Sequence, residues 1–181
     1  MKRHLLLAFL VGATALSGLA DQVPFAIVYG PKAAFNIAAP EGWWIDNGAG
    51  AKNGLPCVLY RKGDTWENAD PLMYTKVAST IYEDAEAFAK TAIEEMKKDR
   101  GDYRAKRVES GKTKDGRAWF VNEYSPSDNY PRIERAAYIQ LPKAVAYVVY
   151  SADREATFRK HQAALKQLLE SFTYLNVKHE E

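Results

Sequence analysis

The spacing of apolar residues switches between two periods along this chain, and each switch marks an element. Ala85, Phe88, Ala89, Ala92, Ile93 and Met96 recur at helical spacing and predict an amphipathic helix. Glu83, Asp84 and Glu86 stand at its start and Lys97, Lys98 and Arg100 at its end, both favourable to the helix dipole. Gly101 supplies the stop. Phe158, Leu165, Leu168, Leu169 and Phe172 form a second stripe, which predicts a helix from a cap at Asp153 to Phe172.

Elsewhere the period is two. Leu72–Thr80 alternates clearly, and Pro56–Lys62, Phe25–Tyr29, Phe35–Ala38 and Trp43–Ile45 are shorter strand candidates. Arg104–Lys112 leads into Asp115-Gly116, a hairpin signal, and Ala118–Tyr124 returns with Trp119 and Val121 on one face and Phe120 on the other. Ile133–Leu141 and Ala144–Ser151 follow, joined at Pro142-Lys143. The last strand is apolar on both faces, so it is expected at the centre of the sheet. Short connections make the sheet mostly antiparallel, and the class is α+β with two main amphipathic helices packed on it.

The first twenty residues follow another logic. Lys2, Arg3 and His4 precede an apolar run from Leu5 to Leu16, and Gly18-Leu19-Ala20 provides small residues for cleavage. This is the order of a secretory signal peptide, residues 1–20, and the run is too short for a membrane-spanning helix. The mature chain is then a single domain, residues 21–181, with a core of about 25–175, expected in the periplasm or secreted and without a transmembrane anchor. Lys2 and Arg3 leave with the leader, so 23 of the 25 basic residues remain against 23 acidic ones. A neutral chain argues against nucleic-acid binding. Cys57 is alone, which excludes an internal disulfide, and its setting between Pro56 and Val58 reads as a small buried hydrophobe.

The segment Phe35-Asn36-Ile37-Ala38-Ala39-Pro40-Glu41-Gly42-Trp43, the closing segment Leu165-Lys166-Gln167-Leu168-Leu169-Glu170-Ser171-Phe172 and the helix-then-meander order between them resemble the PsbP-like superfamily. That group includes photosystem extrinsic proteins, a Ran-binding import factor and bacterial envelope proteins. The resemblance implies an α/β/α sandwich and mostly non-catalytic binding or assembly roles. It supplies no catalytic residues.

Candidate chemistry is sparse. His161 sits on the border of the last helix's apolar side and His179 in the tail, too few ligands for a structural zinc site. Asp64, Glu67 and Asp70, with Asn68, lack the spacing of a calcium loop, and Gly48–Gly54 leads into a strand where a phosphate cradle needs a helix. No metal or cofactor is expected and no catalytic residue is assigned. Glu123 and Glu134 leave open a carboxylate-based hydrolase, and a pocket between helix and sheet leaves open a small-molecule carrier. The favoured reading is an exported, non-catalytic binding or assembly protein of the cell envelope. Its candidate contacts are aromatic residues in loops or at turns, Trp44, Trp66 and Tyr130. A basic hairpin adds Lys112, Lys114 and Arg117, within a stretch, 97–117, of nine basic residues against four acidic. The partner is an envelope protein or an anionic surface.

Expression of the full chain in a bacterial host should yield a processed form beginning at Asp21. N-terminal sequencing and intact-mass measurement of the envelope fraction check this, and a cytosolic chain retaining Met1 would contradict it.

Overall fold

The computed structural model describes residues 22–176; the expected leader, its expected cleavage point and His179 lie outside them. In chain order the elements are β1 (Gln22–Val23), β2 (Phe25–Tyr29), β3 (Ala34–Ala38), β4 (Trp43–Asp46), β5 (Cys57–Arg61), β6 (Leu72–Val77), α1 (Ala85–Arg100), β7 (Ala105–Lys112), β8 (Ala118–Tyr124), β9 (Ile133–Gln140), β10 (Val145–Ala152), α2 (Glu155–His161), α3 (Ala163–Ser171) and β11 (Thr173–Leu175). Eight strands form one sheet in the order β1-β4-β5-β6-β10-β9-β8-β7, and three form a smaller one, β11-β3-β2. Neighbouring strands are antiparallel throughout.

Strand β10 lies inside the large sheet, as its two apolar faces require. Val148 and Tyr150 face a core shared with α2, α3 and the small sheet, while Val145 and Val149 face the α1 side. Helix α1 lays Phe88 across Tyr138 and Tyr147, with ring centroids 5.7 and 5.3 Å apart. Its start is fixed by Asp84, which accepts the Ala87 N–H at 2.7 Å. The large sheet is therefore covered by a helix on one side and by helices plus a small sheet on the other, an α+β sandwich with the expected class.

Three details go beyond the pattern in the sequence. Strands β2, β3 and β11 leave the large sheet and pair among themselves. The closing helix is interrupted at Gln162, where Leu165 N–H bonds to Gln162 O at i+3 spacing, so it consists of α2 and α3. Asp153 is not its cap: the N-cap is Arg154, with no side-chain bond, because the Asp153 carboxylate is drawn to Arg132.

Gly30 ends β2 directly against the large sheet. A Cβ at this position would lie 2.3 Å from Val77 Cβ. Gly30→Ala should therefore destabilise the fold by about 1–3 kcal/mol. Combined with Val77→Gly, which removes every side-chain atom that the new Cβ would meet, the added methyl should cost little, giving a coupling of about 1 kcal/mol or more in urea denaturation.

Candidate functional site

Registers across β7, β8 and β9 place Lys106 opposite Glu123 and Glu123 opposite Arg135. Residues directly opposite in a sheet share a face. This charged ladder lies beside α2, which contributes Arg159. The Arg159 guanidinium grips Glu123 with both terminal nitrogens, at 2.9 and 3.0 Å, and Arg135 Nε donates to the same carboxylate at 2.9 Å. Burial pushes the Glu123 carboxyl up, but the bonds from Arg159 and Arg135 outweigh it, and the group is held below the usual carboxylate range. Glu123 is thus a fixed anion and has little capacity to accept a proton.

A groove of about 440 Å³ opens over this ladder, with Arg104, Lys106, Ile133, Glu155 and Arg159 among its walls. Arg104 and Lys106 are exposed. Among the described residues neither forms an ion pair. The arrangement offers two unengaged cations next to a carboxylate already neutralised, which suits an incoming anionic group.

The residues singled out from the sequence fall into three separate places. Trp44 and Trp66 are half-buried and pack on one cluster with Val58, Tyr60 and Ala69; Lys62 Nζ sits 4.5 Å from the Trp44 ring centre. Tyr130 is also half-buried: its hydroxyl donates to Glu134 at 2.6 Å, and the Arg100 guanidinium lies 3.8 Å over its ring. Burial, then the Glu134 charge, push its phenol up to about 12. Lys112, Lys114 and Arg117 share the β7–β8 turn; the two lysines are exposed, and Arg117 lies 3.6 Å from Asp115 and over the Tyr174 ring. Four strand spacings separate β5 from β8, about 19 Å, so the tryptophans and the basic turn do not form one small-ligand site.

The groove itself was only half visible in the sequence. The hairpin register could pair Glu123 with Arg135, but Arg159 arrives from a helix distant in the chain. The possible acid pair is not formed by Glu123 and Glu134. Glu134 is buried and accepts from Arg100 at 2.7 Å as well as from Tyr130. Burial drives the Cys57 thiol up to about 12, and the charge of Asp46 adds to this. His161 accepts from the Arg61 guanidinium at 3.3 Å, since arginine can only donate. Burial, then the charges of Arg61 and Lys160, lower its basicity. The glycine-rich loop does hold an anion, but its own: Asp46 accepts from Gly48 N–H and Ala49 N–H, both at 2.8 Å, and from Tyr60 at 2.6 Å. Among the described residues no three His, Cys, Asp or Glu side chains are grouped to hold a metal ion.

Glu123→Gln should weaken the fold by about 1–3 kcal/mol at neutral pH, because two arginines lose their counter-charge. The sign of the pH dependence follows from the lowered carboxyl. Its stabilisation is complete above the unfolded value near 4.3 and is lost as pH falls through the folded value. Urea denaturation between pH 7 and 3 should show the gap between the two proteins closing only below about pH 4.

No family model matches this chain, and no curated protein does. Solved structures do. The cyanobacterial PsbP protein CyanoP from Synechocystis sp. PCC 6803 is similar with a TM-score of 0.52 and 16% identity, over 91% of this chain and 99% of that one. LpqN of Mycobacterium tuberculosis, described as involved in cell envelope biogenesis, is similar with a TM-score of 0.54 and 14% identity, over 83% of this chain and 90% of that one. The molecule has the PsbP-like fold.

Proposed function

We propose that this chain is an exported, non-catalytic binding or assembly protein of the cell envelope. It docks an acidic segment of a partner protein on the β7–β8 edge and the adjoining groove. The observation that carries the reading is the pair Arg104 and Lys106, exposed beside a carboxylate already engaged by two arginines. The charge mixture favours a protein partner over a lipid surface. Glu109 and Glu155 are interleaved with the cations around the groove and edge. Interleaved acids confine the positive charge to a few positions, which suits a short acidic segment better than a uniform layer of anionic headgroups. The involvement of the structurally similar LpqN in cell envelope biogenesis, and the leader-like N-terminus, support the compartment. The saturation of Glu123 and Glu134 by donors favours binding over proton transfer in this region.

Neutralising the pair as Arg104→Gln/Lys106→Gln should leave the melting temperature within about 2 °C, since both side chains are exposed. It should weaken binding of poly-glutamate, as a defined acidic polypeptide, about tenfold at low salt. The binding of the unmodified protein should fall as salt rises. The same variant should lose the salt-sensitive proteins captured from an envelope extract by the mature chain. Equal retention by both proteins would overturn the reading, and preferential binding to phosphatidylglycerol vesicles would assign the edge to lipid.

A further inference from the structure

Strand β2 is an edge strand, yet it has none of the features that protect edges. Its sequence, Phe25-Ala26-Ile27-Val28-Tyr29, contains no charge, proline or glycine, and its pairing with β3 has no bulge. The edge at the far end of the large sheet is built differently. There β7 carries Lys106, Arg107, Glu109 and Lys112, and its register shifts between Arg107 and Glu109. Charges and bulges of that kind prevent strand-to-strand association. On β2 the outward side chains are instead apolar and open: Phe25 is 64% exposed, Ile27 45% and Tyr29 65%.

The backbone of β2 fixes what can pair with it. Gly30 N–H bonds to Ala33 O, and Ala39 N–H bonds to Pro24 O. In an antiparallel ladder the bonding side alternates. Residues 24, 26, 28 and 30 therefore direct their polar groups toward β3, and Phe25, Ile27 and Tyr29 direct theirs to the open edge. No strand pairs on that side among the described residues. An antiparallel copy of the same strand, centred on Ile27, matches this edge group for group. Ile27 meets Ile27 of the second copy, and Phe25 meets its Tyr29. All six outward groups on each copy then find a partner, giving six new backbone bonds. Tyr29 also borders a groove of about 430 Å³ with Pro31, Pro56 and Val77 in its walls.

We propose that β2 is a homodimer interface, in which two copies join edge to edge about a two-fold axis at Ile27 to form a continuous six-stranded sheet. Such an interface is self-complementary, as two-fold symmetry demands. Its size sets its strength. The three exposed side chains offer roughly 350 Å² per copy, below the ~800 Å² per partner of a standard stable interface. The six ladder bonds add to this, so the expected dimer is weak and concentration-dependent. The proposal is independent of the basic groove.

Sedimentation equilibrium of the mature chain from 1 to 500 µM should show a monomer–dimer transition. Ile27→Lys, which sets like charges face to face at an already exposed site, should shift the midpoint at least tenfold upward. Ile27→Cys tests the register directly. The Cα atoms of opposed residues lie about 5.5 Å apart, whereas position 25 and its copy are about 14 Å apart along the strands. A short bifunctional thiol reagent should therefore link Ile27→Cys into dimers far more efficiently than Phe25→Cys. Native Cys57, fully buried, stays out of the reaction. A protein monomeric at 500 µM would overturn the proposal and leave the edge to a strand from another protein. Equal linking at positions 25 and 27 would also overturn it.

Discussion

The stacking of Phe35 on Phe172 joins the two ends of the domain, and one whole face of the sandwich is assembled around it. The ring centres are 4.5 Å apart with planes 22° from parallel, and both residues are fully buried. Around the stack the chain ends are bonded together. Ser171 Oγ accepts the Ala38 N–H at 3.0 Å and donates to Leu168 O, and Gln167 Oε1 accepts the Glu41 N–H at 3.2 Å. Strand β11 then pairs with β3. The small sheet and α3 thus form one lid over Ile45, Leu59, Met73 and Val148. Bringing such distant segments together costs only slightly more entropy than closing a loop of half the length, because that cost grows logarithmically. One well-packed aromatic pair, with the apolar area buried around it, offsets it.

This pairing also gives a physical meaning to the two segments on which the sequence resemblance rests. Phe35 to Trp43 is the passage from the small sheet to the large one. Gly42, at φ +77°, turns the chain so that Trp43 enters the core and meets Tyr150. Leu165 to Phe172 is the surface that receives β3. The two segments are separate in sequence and form one contact in space. The contact asks for apolar shape and a tight turn.

What was legible in the sequence was what is local. The stripe of α1, the Asp115-Gly116 hairpin and the two-sided burial of β10 are each encoded within a few residues. The division into two sheets was not legible, because β2 and β3 look the same whichever sheet they join. Strand β11 is three residues long, too short to show a period. The break at Gln162 leaves the apolar spacing of Phe158 to Phe172 unchanged, so a tightened turn and a continuous helix give the same pattern. At the groove, the contact of Arg159 with Glu123 depends on how α2 is laid across the sheet. Charge composition reported the basic stretch 97–117 but not its pairing. Arg107 is bonded to Glu86 at 2.6 Å and Arg100 to Glu134, so the unengaged cations form a smaller set than the count suggests.

The molecule's two long sheet edges divide its surface by physics. At β7, charges and a bulge keep strands away and a groove with exposed cations adjoins, so the docking proposed there would weaken with salt. At β2, which lies over the opposite half of the large sheet beside Val77, backbone groups and apolar rings are available and salt has little leverage. Both sites lie on the small-sheet side of the eight-stranded sheet but at separate places on it, the groove against β7, β8 and α2 and strand β2 beside β6. Each site can therefore be read out separately by ionic strength. A partner held at the charged edge dissociates as salt rises while any association through β2 persists, which an arrangement sharing one surface would not allow.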